Sequence, residues 1–96
     1  MASMKQASSV YLQRLNVDAV DVGERVAARF AGWQDDVAIL VLEPSGTRAL
    51  LSLHDLSRQR RVDADKVRAS LAANELLSDL YVAKKNAVKG YVVLSY

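Results

Sequence analysis

Apolar positions change their period along this chain. In Arg25 to Phe30, Val26, Ala28 and Phe30 alternate with Arg25, Ala27 and Arg29. That period of two predicts a half-buried strand. Gly32 and the polar trio Gln34, Asp35 and Asp36 then interrupt it. Val37 to Leu42 is continuously apolar and β-branched at several positions, which predicts a buried central strand. Pro44, Ser45 and Gly46 predict a turn, because proline presets one φ and glycine permits a positive one. Thr47 to Leu53 resumes as a strand, so residues 37–53 read as a β-hairpin. Tyr91 to Tyr96 reads as a final strand, with Val92 and Leu94 on one face and Tyr91 and Val93 on the other.

Between these strands the pattern is less regular. Ser57 to Val62 is polar and basic and reads as a loop. Asp63 is a good helix N-cap. Val67 and Leu71, four apart, predict a short helix over about 64–73. Continued further, that helix would place Leu76 and Leu80 opposite Val67 and Leu71, so its apolar stripe would leave one face. A break near Asn74 is therefore expected, followed by an extended segment from Leu76 to Val82. Ser78 occupies a position there where an apolar residue should stand. One long helix over about 64–82 is the alternative. Lys84 to Gly90 reads as a basic turn. Near the start, Met1 to Ser9 is small and polar, and Val10 to Leu15 fits either a short helix or an extended lead-in.

No internal repeat is visible. The order is three strands, a helical insert and two strands, which makes the chain mostly β. That order suits a small five-stranded OB-type barrel with a short helix between strands 3 and 4. The alternative is a small α+β domain with one long helix, about 64–82, on an antiparallel sheet. Residues 1–15 read as an N-terminal extension, and 16–96 as a single OB-like domain.

Composition narrows the chemistry. The chain has 96 residues, 51% hydrophobic and 25% charged, which is the range of a globular domain. With no cysteine there are no disulfides, thiolate metal sites or cysteine nucleophiles. A single histidine argues against a zinc site. The four glycines are scattered, so no glycine-rich phosphate loop exists. Neither a metal nor a small-molecule cofactor is expected. No apolar run reaches the roughly 18–20 residues that span a bilayer. Met1 to Lys5 lacks an apolar signal core, so a cytoplasmic protein is expected.

A net charge of +2 says little by itself, but its distribution is uneven. Between Asn16 and Asp36 lie five acids and two bases. Between Arg58 and Arg68 lie five bases and two acids, and Lys84, Lys85 and Lys89 add a second basic cluster. A solvated surface of mixed charge would look the same.

Val22 to Tyr96 resembles the ribosomal S-one RNA-binding family. Val22-Gly23-Glu24-Arg25-Val26 is similar to its opening strand. Leu50-Leu51-Ser52-Leu53-His54-Asp55-Leu56-Ser57 is similar to its third-strand segment. Arg61-Val62 followed by Val67 and Leu71 has the spacing of its loop and short helix. Gly90-Tyr91-Val92-Val93-Leu94-Ser95 is similar to its closing strand. The resemblance implies an OB barrel that binds single-stranded RNA. The chain departs from the family at the usual RNA-contacting positions. Asp36 and Ile39 stand where base-stacking phenylalanines are usual. Ser52 holds the position of the family's histidine, with His54 two residues on. Tyr91 replaces a basic residue, and Asn74 aligns with a glycine.

A single-strand binder needs cations for the backbone and flat side chains for the bases. Here the candidates are Trp33, Arg48, His54, Arg58, Arg60, Arg61, Lys84, Lys85, Lys89 and Tyr91. Each has a plainer reading. Trp33 can cap the core, Tyr91 can form barrel wall, and His54 can be a hydrogen-bonded structural residue. The basic run at 58–61 can be a solvated loop. Ser52, His54 and Asp55 do not make a triad. On a strand, sequence neighbours point to opposite faces, and Ser52 and His54 would stand too far apart for a ready hydrogen bond. No enzyme activity is expected. Two classes remain. One is a nucleic-acid-binding module for single-stranded RNA, part of a larger assembly. The other is a protein-interaction, adaptor or inhibitor domain using the apolar positions Ile39, Leu50 and Tyr91. The missing aromatics favour the second and the basic later half favours the first. Neither class fixes an oligomeric state.

Overall fold

The computed structural model describes Val17 and residues 19–96. The segments 1–15 and Val10 to Leu15 lie outside the described residues. Five strands and two short helices follow in order: β1 (Arg25–Gln34), β2 (Val37–Glu43), β3 (Arg48–Ser52), α1 (Leu53–Arg60), α2 (Ala64–Ser70), β4 (Leu76–Asn86) and β5 (Tyr91–Ser95). The strands close into a barrel in the order β1-β2-β3-β5-β4. All neighbours are antiparallel except β3 and β5, which run parallel. This is the OB-type barrel expected from the element order, with both helices between β3 and β4. The alternative helix over 64–82 is not formed.

Alternation builds the wall. Inward positions of the first three strands pair a small residue with a large one: Ala28 and Phe30, Ala38 and Leu40, Ala49 and Leu51, all buried. Across the strands small mostly meets large, as the taper of a small barrel requires, with Phe30 against Leu40 the exception. Ala38, for example, lies in register between Trp33 and Leu51. From the other side come Leu77, Leu80, Val82, Val92 and Leu94. Leu53, Leu56, Val67 and Leu71 from the helical insert join the same core, as do Val17 and Val20. Between β2 and β3, Gly46 takes a φ of 78°, the turn conformation that the Pro44-Ser45-Gly46 pattern called for.

Four sequence expectations need correction. First, β1 does not stop at Gly32. A register shift between Phe30 and Gly32 leaves Ala31 as an extra residue, and the strand runs on to Gln34. The bulge lets Phe30 and Trp33, three apart, both turn inward, with ring centroids 5.4 Å apart. Second, β3 ends at Ser52, and the expected loop at 57–62 is mostly helix. The Ser52 hydroxyl caps α1 by accepting from the Asp55 amide at 3.0 Å. Leu53 and Leu56 then share one buried face. Third, the helix expected over 64–73 ends at Ser70. Asp63 holds its cap position without a side-chain cap bond. The break at Asn74 is real, and its φ of 65° is a conformation that asparagine tolerates.

Fourth, Lys84 to Gly90 is not all turn, because β4 continues to Asn86. Two bulges explain why β4 was hard to read. Val26 pairs with Leu80 and Ala28 with Leu77, so Ser78 and Asp79 together oppose Ala27 alone. Asp79 adopts a φ of 63° there. Ser78 therefore is not an inward residue of the wrong kind; it belongs to the bulge. A second shift between Val82 and Lys84 leaves Ala83 unpaired.

Candidate functional site

Register fixes which side chains share the outer surface. On β3, Ala49 and Leu51 point inward, so Arg48 and Leu50 point out. On β5, Val92 and Leu94 point inward, so Tyr91 and Val93 point out. Arg48 pairs with Tyr91, and Leu50 with Val93. On the other side of β5, Tyr91 pairs with Asn86 and Val93 with Lys84. The outer surface of β3-β5-β4 thus joins Arg48, Tyr91 and Lys84, residues far apart in sequence. No carboxylate occupies these outward positions. Among the described residues, the side chains of Arg48, Lys84 and Lys89 have no ion-pair partner.

Tyr91 is held rather than free. Its hydroxyl accepts a hydrogen bond from Asn86 Nδ2 at 3.3 Å. Asn86 Oδ1 in turn accepts from the Lys89 amide at 3.0 Å. One asparagine therefore ties the ring to the following turn. Val88, in that turn, is 92% exposed.

Lys85 does not join this surface. It pairs with the inward residue Val92, and its Nζ donates to the Val20 carbonyl at 2.8 Å. Consecutive lysines in one strand point to opposite sides, so the sequence cluster of Lys84, Lys85 and Lys89 is divided.

The remaining candidates lie elsewhere. Trp33 is half-buried and packs against the core. The Arg68 guanidinium lies 5.2 Å from its ring centroid. Arg68 also bonds Asp36 Oδ1 at 2.6 Å, so this face of the indole is covered by the chain itself. Trp33 Nε1 is buried and, among the described residues, has no hydrogen-bond partner. His54 is exposed in the first turn of α1, beside a shallow cleft that Asp36, Ser52 and Ser57 also line. Ser52 is committed to the helix cap. The strand geometry assumed for Ser52, His54 and Asp55 is therefore replaced by a helix start.

Arg58, Arg60 and Arg61 ride on α1 and its end. Arg60 forms an ion pair with Glu75 at 3.1 Å. The Ala72 amide, which donates to Glu75 at 3.1 Å, and the Arg60 guanidinium hold the Glu75 carboxyl below its ordinary range. Arg61 is exposed with a φ of 56°, ending the helix. Arg58 is exposed beside Asp55, Ser95 and Tyr96.

Sequence reasoning missed Arg25 and Tyr81. Tyr81 lies between the inward residues Leu80 and Val82, so it points out, and it pairs with Arg25 on one side and Ser95 on the other. The Arg25 guanidinium is 5.9 Å from the Tyr81 centroid. The signal was hidden by the bulge at Ser78 and Asp79, which breaks the alternation that would have assigned Tyr81 a face.

An open groove of about 1000 Å³ is lined by Glu24, Glu43 and Asp79 with Arg25, Val26 and Pro44. Its acids disfavour a polyanion. On the neighbouring β1 surface Arg29 is taken by Glu43 at 2.7 Å. Among the described residues no three metal-ligating side chains come together. Nor is any helix there long and apolar enough to cross a membrane.

No family model matches the sequence, and no curated protein matches it. Solved structures do. The intact alpha subunit of aIF2 from Pyrococcus abyssi is similar over 79% of this chain and 28% of its own, with 19% identity and a TM-score of 0.58. GSP13 from Bacillus subtilis is similar over 78% of this chain and 54% of its own, with 20% identity and a TM-score of 0.59. The likeness is one of fold. In both cases this chain spans less than two thirds of the other protein's length. The barrel is the common part, and the outward residues described above belong to this chain.

Proposed function

We propose that this chain is a non-enzymatic nucleic-acid-binding module that takes single-stranded RNA on the outer surface of β3, β5 and β4. The observation that carries the reading is the register that sets Arg48 beside Tyr91 with Lys84 close by, at outward positions that hold no carboxylate. Cations there release counterions from the phosphates, which supplies affinity without regard to sequence. Tyr91 offers a base a flat ring, fixed in advance by Asn86, so little ordering is left to the binding step. Lys89 extends the positive surface into the β4–β5 turn. OB-type barrels bind oligonucleotides on the face of strands 2 and 3 with the β1–β2 and β4–β5 loops; the proposed surface shares β3 and the β4–β5 loop with that site and uses β5 and β4 in place of β2, whose outward positions carry no ring. The similar structures give the fold a precedent as part of a longer protein, since the aIF2 alpha subunit is matched over only 28% of its length. A place within a larger assembly fits that proportion.

The test is fluorescence anisotropy with a labelled single-stranded RNA of about ten nucleotides. Binding should weaken steeply with salt. Changing Arg48, Lys84 and Lys89 together to Gln should lower the slope of log K against log salt by about 2, at roughly 0.7 per contact on a single strand. Lys85→Gln should leave the slope unchanged. No measurable binding by the wild-type chain at low salt would overturn the reading.

A second reading is a protein-interaction, adaptor or inhibitor domain without a nucleic-acid ligand. It is favoured by Ile39, Leu50 and Val93, adjacent in register across β2, β3 and β5. Under that reading a partner stays bound after nuclease treatment, Leu50→Lys releases it, and no RNA binding is measured.

A further inference from the structure

The outer surface of β4 and β5 carries a second aromatic. Along β5, the outward residues are Tyr91, Val93 and Ser95, and their β4 partners are Asn86, Lys84 and Tyr81. The surface thus has Tyr91 at one end, Tyr81 at the other, and Lys84 between them. Four residues of β5 separate the two levels, about 13 Å at the usual rise of a strand. Each ring has an arginine as its cross-strand neighbour: Arg48 beside Tyr91, and Arg25 beside Tyr81. By contrast the outward positions of β2, Val37, Ile39 and Val41, offer no flat ring.

We infer that RNA follows the β4–β5 hairpin lengthwise, one base stacking on Tyr91 and a second on Tyr81, with Lys84 contacting the backbone between them. The inference rests on the proposed function and extends it to a two-platform track. Charge sets where each kind of contact falls. The exposed carboxylate of Asp79 lies beside the Tyr81 end, on the margin of the acidic groove that also holds Glu24. Asp55, with Arg58, lines the cleft at Ser95. Phosphates are therefore disfavoured there, and Tyr81 contributes through its uncharged face. The phosphate contacts belong to the other half, at Arg48, Lys84 and Lys89. The Arg25 guanidinium donates to the Asp79 carbonyl at 3.3 Å and lies 5.9 Å from the Tyr81 ring centroid, so it props the ring from one side and leaves stacking to the other. The acidic groove beyond Arg25 marks where the track stops.

Two lengths of single-stranded RNA separate the platforms. A dinucleotide, with a single backbone step, covers one platform, and a chain of about ten nucleotides covers both. Wild-type protein should bind the longer chain more tightly. Tyr81→Thr, which keeps strand propensity and removes the ring, should weaken the longer chain roughly 5- to 150-fold and leave the shorter one unchanged. Tyr81→Phe should bind like wild type. Arg25→Gln should weaken the longer chain alone.

If Tyr81→Thr and Arg25→Gln both bind the longer chain like wild type while Tyr91→Thr weakens both lengths, the track is wrong and the proposed function stands. If Tyr91→Thr also changes nothing, both fall. A measurement on the unaltered chain guards against a folding defect. In an NMR titration with the longer RNA, the ring protons of both Tyr81 and Tyr91 should shift; movement of Tyr91 alone would overturn the track.

Discussion

Two outer surfaces of one barrel differ in what they offer a ligand. On β2 the outward residues are Val37, Ile39 and Val41, all aliphatic, with Glu43 at the strand end. On β5 and β4 they include Tyr91, Val93, Ser95, Tyr81, Lys84 and Asn86, with Leu76 and Asp79 exposed toward the start of β4. Beneath both surfaces the inward residues are much alike, chiefly leucine, valine and alanine. The core therefore asks the same thing of all three strands, and packing does not account for the difference outside. Aliphatic β-branched side chains satisfy a strand and nothing more. Tyrosines tied into a hydrogen bond or stacked under an arginine, with lysine between, suit a ligand with flat and anionic parts.

The sharpest way to break that contrast is to remove its support. Leu80 is fully buried and precedes Tyr81. Leu80→Ala should cost about 2–5 kcal/mol in urea unfolding, the usual range for a leucine in a closed core. A cost below about 1 kcal/mol would show that the bulged strand does not carry the wall. Next comes the platform itself. Tyr91→Thr should lose about 1–3 kcal/mol of RNA affinity, the value of one stacked base. A smaller loss would return Tyr91 to the status of barrel wall.

The contrast sharpens if the other surface proves silent. Val37→Thr with Ile39→Thr should leave RNA affinity within roughly twofold, as surface changes away from a contact do. A large loss would move the ligand onto β2. The Ser52 cap, paired with Val37 at the end of β3, supplies a control on the fold rather than on the ligand. Ser52→Ala removes the cap of α1 and should cost about 1 kcal/mol of stability without changing RNA affinity at saturating fold.

The smallest effect concerns pH. The Glu75 carboxyl is held low by the Ala72 amide and then by Arg60. A lowered folded value contributes stability that is present above the unfolded value and is lost as pH falls through the folded one. The difference in Tm between wild type and Glu75→Gln should therefore shrink on acidification below the ordinary carboxylate range. A difference independent of pH would assign the stabilisation to packing. The pair is a third exposed, so solvent screening keeps the effect small.

Much of the fold was legible from local pattern. The hairpin of β2 and β3, the break at Asn74 and the facing of Val92 and Leu94 all follow from alternation and turn chemistry. The cap signal of α1 was also present, as Ser52 followed three residues later by Asp55. It was obscured because Leu51 and Leu53 also suit a strand. The candidate surface was legible only in pieces. Arg48, Tyr91, Lys84 and Lys89 were nameable as cations and a ring, with no means of placing them together or of separating Lys85 from them.

The amino-acid order alone determined which residues are apolar, where the chain turns, and that several strands would share one small core. Those properties depend on neighbours within a few residues. Tertiary pairing decided the three bulges, at Ala31, at Ser78 and Asp79, and at Ala83. A bulge exists only relative to a partner strand, and each one reverses the facing of every residue after it. That reversal is what turned Trp33 inward, Tyr81 and Lys84 outward, and so set the last two on one surface with Tyr91.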